Sequence, residues 1–88
     1  MVNFQVGQIV ISKSGRDKGM AFIVLSTEGE YLYLADGQLR SMQKPKKKKL
    51  KHIQPTSTVS AEIVQTINSG RLLDSDLRKA IAEFRNKL

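Results

Sequence analysis

The chain has 88 residues, a net charge of +7 and a pI near 10.0. That length holds one small domain, or one domain with a short appendage, and its modest core leaves little room for a deep enzyme cleft. There is no cysteine, which excludes disulfides and thiolate metal sites and suits a reducing, cytoplasmic setting. No apolar run approaches the roughly 20 residues of a membrane span, and the start Met1-Val2-Asn3-Phe4-Gln5 does not read as a signal peptide.

Val6 to Lys13 reads as a first strand, rich in β-branched residues and bounded by Gly7 and Gly15. Apolar residues fall on both of its faces, so alternation does not say which side is buried. Ser14 to Gly19 follows as a turn. Gly15 and Gly19 let the backbone bend sharply there, and Asp17 can hold a nearby backbone N–H. Met20 to Ser26 is a second strand, Thr27 to Glu30 a hairpin turn, and Tyr31 to Ala35 a third strand. Asp36-Gly37 is the strongest short hairpin signal in the chain and predicts a fourth strand from Gln38 to about Gln43. Pro45 ends that strand or marks an edge, because it cannot donate to a ladder. Leu50 to Ile53 suits a short fifth strand. Five short strands within about 50 residues predict a mainly β fold, a small barrel of bent antiparallel strands.

After Thr58 the period changes. Ile63, Val64 and Ile67 fit one face of a short helix, with Ser60 as N-cap and Ser69-Gly70 as its end. From Asp74 to Leu88 the residues Leu77, Ala80, Ile81, Phe84 and Leu88 form an amphipathic stripe. Asp74 is the expected N-cap, Asp76 favours the positive helix start, and Arg85 and Lys87 favour the negative end. A helix of about 14 residues is marginal alone in water, so the stripe must pack on something. The other helix, the barrel and a partner are all open, and Leu77, Ile81 and Phe84 are the candidate partner interface. The expected organisation is a barrel over residues 1–55 and a helical appendage over 56–88.

The charge is uneven. Residues 1–54 carry ten Lys/Arg against four acids, whereas residues 55–88 carry five against four. Lys44-Pro45-Lys46-Lys47-Lys48-Lys49-Leu50-Lys51-His52 holds six of those lysines and no acid. Like charges held together repel, and a polyanion would relieve the repulsion and release its condensed counterions. A solvated loop that keeps the protein soluble is the plain alternative. Read as a loop, the run should tolerate replacement of Lys46, Lys47, Lys48 and Lys49 without unfolding, while RNA binding falls. Lysines hold phosphates without reading bases, so recognition would rest on shape and backbone charge. Tyr31 and Tyr33, on one face of a strand, are the candidate stacking aromatics for single strands, against a plain role in the barrel wall. His52 is open to a phosphate contact, a base stack or a structural hydrogen bond.

The segment Gly7-Gln8-Ile9-Val10-Ile11-Ser12-Lys13-Ser14-Gly15-Arg16-Asp17-Lys18-Gly19, followed by Phe22-Ile23-Val24-Leu25, resembles the KOW motif, a strand–loop–strand unit of ribosomal proteins and transcription elongation factors. Leu34-Ala35-Asp36-Gly37-Gln38-Leu39-Arg40, and then Lys44 through Ile53-Gln54-Pro55, is similar to archaeal and eukaryotic large-subunit ribosomal protein fourteen and its short bacterial KOW-domain relatives. The resemblance implies an SH3-like five-stranded barrel and binding to RNA, ribosomal RNA first. Carried over by position, it assigns phosphate contacts to Lys13, Arg16 and Lys18 in the first loop and to Arg40, Lys44, Lys46, Lys47, Lys48, Lys49, Lys51 and His52. It makes Gly7, Gly15 and Gly19 structural, beside Asp36 and Gly37 of the turn. The long basic extensions of many ribosomal proteins are missing.

The expected function is that of a cytoplasmic RNA-binding accessory protein of translation, with ribosomal or other structured RNA as partner and the ribosome or another translation protein beside it. The alternative is a protein-interaction module docking through the barrel or the last helix. An enzyme is not expected. One histidine and no cysteine leave no catalytic pairing to build, and no phosphate-binding Gly-Lys-Ser/Thr ending is present. No metal, cofactor or small-molecule substrate is expected. A membrane partner ranks low, since no lipid anchor or apolar insertion face adjoins the lysines.

Overall fold

A computed structural model describes residues 3–87. The elements run β1 (Gln8–Ser12), β2 (Ala21–Glu28), β3 (Tyr31–Ala35), β4 (Lys46–Lys49), a 3-10 turn (Leu50–His52), β5 (Ile53–Val59), α1 (Ala61–Asn68) and α2 (Asp74–Asn86). All ladders are antiparallel and form one five-stranded sheet in the order β4-β3-β2-β1-β5. Among the described residues no ladder joins β4 to β5, so the sheet is not closed.

β1 and the first half of β2 are buried on both faces, and this explains why β1 shows no polar side. Ile9, Ala21, Ile23 and Ala35 point to one face, where Ile63 of α1 and Leu77 and Ile81 of α2 cover them. Val10, Phe22, Val24, Leu32, Leu34 and Ile53 gather on the other, with Phe4, Met20 and Leu50 at its margin. Successive residues of β1 and β2 thus alternate between two apolar clusters rather than between core and water. Bulges between Gln8 and Val10 and between Val24 and Ser26 bend the strands, as the extra residue of a bulge does. Gln8 is buried beside the first bulge, and its amide is satisfied on both sides. Its Nε2 donates to the Thr56 carbonyl at 2.9 Å, and its Oε1 accepts from the Gln5 N–H at 3.0 Å. Pro55 lies within β5, which is tolerable because β5 is an edge strand.

Two strand expectations need correction. Residues 38–43 are not a strand. The Asp36 carboxylate accepts from the backbone N–H of Gln38 at 3.0 Å and of Arg40 at 2.9 Å, while the Arg40 carbonyl accepts from Asp36 and Gly37. The chain therefore closes into a turn. Gly37, with φ of +79°, brings its backbone against the first residue of α2; a Cβ there would collide with the Asp74 carbonyl. The fourth strand is the lysine run itself, so the run is not a loop. The fifth strand begins at Ile53 rather than Leu50 and runs through 56–59, across the expected boundary between barrel and appendage.

Ser60 caps α1, its Oγ accepting from the Ile63 N–H at 3.3 Å. The cap of α2 is Leu73 rather than Asp74: Asp76 takes the Leu73 N–H on its carboxylate at 3.0 Å and donates its own N–H back to the Leu73 carbonyl. The Asp74 carboxylate instead accepts the Met42 N–H at 2.8 Å, fastening the 36–44 connection to the helix. The helix stripe packs on the sheet. Leu77 and Ile81 are buried and Phe84 lies against the same cluster, so the expected partner interface at these residues is the protein's own core. Leu88, the last residue of the stripe, lies outside the described residues. Among the described residues no helix is long and apolar enough to cross a membrane.

Candidate functional site

Strand alternation divides the lysine run into two unlike pairs. On β4, Lys46 and Lys48 point to one face and Lys47 and Lys49 to the other. Lys48 is buried, at 8% exposure. Its Nζ donates to the Asp17 carboxylate at 2.7 Å, to Ser12 Oγ at 2.6 Å and to the Ser14 carbonyl at 2.7 Å, so all three of its protons are used. Lys46 donates to the second Asp17 oxygen at 2.6 Å. Asp17 also accepts from Ser12 Oγ at 2.6 Å. Burial pushes the Asp17 carboxyl upward, but the hydrogen bonds from Lys46, Lys48 and Ser12, together with the Lys46 charge, outweigh burial and hold it well below the usual carboxylate range. The expected backbone role of the Asp17 carboxylate is replaced by a clamp that ties the β1–β2 turn to β4.

Lys47 and Lys49 face outward over the tyrosines of β3. The register sets Tyr33 opposite Lys47 and Tyr31 opposite Lys49. The Lys47 ammonium lies 4.6 Å from the Tyr31 ring centre and 5.9 Å from that of Tyr33, and the Lys49 ammonium lies 5.9 Å from that of Tyr31. Glu28 and Glu30 stand 3.8 and 4.0 Å from Lys47 and Lys49. Tyr33 donates its hydroxyl to Glu28 at 3.1 Å. Both tyrosines are half-buried under these ammonium groups. A base seeking either ring would meet a lysine first, and the local charge on this face is close to balanced.

The cations without an acidic partner lie elsewhere. Among the described residues no carboxylate lies within ion-pair distance of Lys13, Arg16, Lys18, Arg40, Lys44 or Lys51, and all six are exposed. Arg16, Arg40 and Lys46 line one depression of about 380 Å³ with Asp17, Met20, Phe22 and Leu39. Lys13 sits beside the 3-10 turn that carries Lys51 and His52, its backbone N–H donating to the His52 carbonyl at 2.8 Å. Lys44 caps its own turn through its backbone N–H to Ser41, leaving the side chain in solvent. The structure thus brings together Arg16, Arg40 and Lys46, separates Lys47 and Lys49 onto another face, and removes Lys48 from solvent.

Sequence reasoning missed the clamp, although Asp17 is the only acid among the first 27 residues and sits among basic neighbours. It also missed Arg78, whose Nη1 donates to the Gly37 carbonyl at 2.6 Å across the turn–helix junction. Among the described residues no three His, Asp or Glu side chains gather where they could hold a metal ion. No protein-family model matches the chain, and no curated protein matches it either.

Proposed function

We propose that the protein is an RNA-binding accessory of translation in the cytoplasm, holding structured, first of all ribosomal, RNA by its phosphates. The finer fold reading belongs with it. The bent antiparallel sheet in this order, with a 3-10 turn leading into the last strand, supports reading it as an SH3-like barrel of the KOW type. The observation that carries the function is the set of exposed, unpaired cations on the β1–β2 turn and the 36–44 connection, with Arg16 and Arg40 converging beside the Asp17-paired Lys46. The acids nearest them are already engaged: Asp17 by two lysines, Asp36 by two backbone N–H groups. An anion arriving there meets charge that is not internally compensated. Lys48 holds the turn in place, and Lys47 and Lys49 contribute less than their number suggests.

The test is a salt titration of binding to a duplex RNA. If Lys13, Arg16, Lys18, Arg40, Lys44 and Lys51 neutralise about six phosphates, log affinity falls with log salt at a slope of roughly −4 to −5. Replacing Arg16, Arg40 and Lys44 together by serine should weaken binding by more than about tenfold and flatten the slope by about three phosphates' worth. All three are exposed, so the melting transition should stay in place. A slope near zero, or unchanged affinity in the triple variant, would remove the reading. Crosslinking in cells then locates the RNA: a sharp site on large-subunit ribosomal RNA is expected, and scattered transcripts would leave only a general charge-driven binder.

A further inference from the structure

A second depression, of about 590 Å³, lies between the 36–40 turn and α2. It meets the Arg16–Arg40–Lys46 depression at two shared residues, Met20 and Leu39. Leu39 is 68% exposed, the most exposed large apolar side chain among the described residues, and it stands as a ridge between the two. Behind it Ile81 forms an apolar floor, and Arg78 and Arg85 project from the α2 side. Arg78 spends one nitrogen on the Gly37 carbonyl; Arg85 has no acidic partner among the described residues. Cations therefore rim an exposed aliphatic centre on both sides, and the carboxylate that also lines this depression, Asp36, is turned to the Gln38 and Arg40 backbone N–H groups.

We propose that this groove binds an acidic peptide segment of another protein, one that lays an aliphatic side chain against Leu39 and Met20 while its carboxylates meet Arg85 and Arg78 on one side and Arg40 and Arg16 on the other. An apolar centre inside a charged rim is the anatomy of a protein–protein contact. Methionine at the centre adapts to differently shaped aliphatic partners. RNA fits this groove less well. A phosphate gains nothing from an exposed leucine, and stacking a base needs an accessible ring. Phe22 is the only aromatic residue lining either depression, and it is buried. A second copy of the chain fits less well too, because each copy carries a net charge of +7. The inference stands independently of RNA binding, although the two ligands would share Arg16 and Arg40.

The experiment pans a random phage-displayed library of peptides about a dozen residues long on the immobilised full chain. Enriched sequences should combine Asp or Glu with Leu, Ile, Val or Met. Synthetic copies should bind the wild type, and Leu39→Ser and Arg85→Glu should each weaken them by at least about fivefold. Both residues are exposed, so the fold should survive. As a readout that needs no variant, peptide-induced amide shifts on the wild type should centre on Met20, Leu39, Ala82 and Asn86. Leu39→Ser keeps every cation, so its affinity for a duplex RNA of about 20 base pairs should stay within about twofold. Absence of acidic–aliphatic enrichment, peptide binding indifferent to Leu39, or shifts confined to another face would overturn the proposal. So would a loss of duplex binding in Leu39→Ser equal to the loss of peptide binding, which would make the ridge part of an RNA surface. Failure of the peptide arm leaves the salt dependence of RNA binding untouched, so the two readings fall separately.

Discussion

Two neighbouring lysines in this chain, identical in type and one residue apart, have opposite jobs. Lys48 is buried and fully hydrogen-bonded; Lys47 is exposed at a long contact from Glu28. Removing Lys48 strips Ser12, the Ser14 carbonyl and one Asp17 oxygen of a shared donor, and leaves Lys46 as the one lysine on the carboxylate, beside the Ser12 hydroxyl. Lys48→Ala is expected to cost about 2–3 kcal/mol of stability, somewhat less than breaking a buried pair outright because Lys46 remains. Lys47→Ala should cost less than about 1 kcal/mol, as exposed pairs do. Urea unfolding of the two variants measures the difference, and equal midpoints would deny the clamp. The carboxylate gives a second handle. Its proton affinity is lower in the folded state, so the unfolded chain binds the proton more readily. The stabilisation is fully present above the unfolded carboxyl value of about 4 and is lost progressively as pH falls below it. Asp17→Asn should be less stable than wild type at neutral pH, and the gap should narrow below about pH 4. A gap that is constant with pH would mean that Asp17 acts by shape alone.

At the scale of elements, legibility followed the origin of the signal. β1, β2, β3 and both helices could be read because their signals are local: β-branched runs bounded by glycine, a Ser60 cap, an apolar stripe at helical spacing. β4 could not. Four consecutive lysines have poor strand propensity, and only tertiary partners make them one: Tyr31 and Tyr33 on one side, Asp17 on the other. The Asp36-Gly37 signal marks a turn but not the hairpin it suggests, because nothing local shows that Gly37 faces the start of α2. The basic cluster was legible as charge but not as a site, since which lysines stay free depends on pairing at long sequence range. The turn–helix contact can be tested by comparing two glycines with positive φ. Gly29→Ala, in open space, should cost about 1 kcal/mol through its left-handed backbone alone. Gly37→Ala adds a clash with the Asp74 carbonyl and should cost at least about 2 kcal/mol more, or displace α2. Melting curves of the pair decide it; similar losses would mean that the junction is loose.

For the molecule as a whole, the question is whether residues 56–88 are an appendage or half of the fold. The charge break near residue 55 and the change of period argue for a division there. The packing argues otherwise. β5 carries the sheet across that position, and the face formed by Ile9, Ala21, Ile23 and Ala35 is covered chiefly by α1 and α2, with Met42 and Leu72 at its margin. A small domain that lost this cover would expose a contiguous apolar patch on a sheet that already has two free edges, a combination prone to association. The helices are no better off alone. At 8 and 13 residues they are too short to hold in water without the surface they cover. The two parts should therefore unfold together, with the tyrosine signal of β3 and the helical signal at 222 nm following one transition. A chain ended after Val59 should keep the basic turn and the lysine strand in sequence yet lose the cooperative transition, bind a hydrophobic dye and associate at micromolar concentration. Its RNA binding, if any, should then lack the dependence on Arg16 and Arg40 that a fixed geometry gives. A truncated chain that melts cooperatively and binds as the full chain does would show that the sheet is self-sufficient, and would return the helices to the role of an appendage.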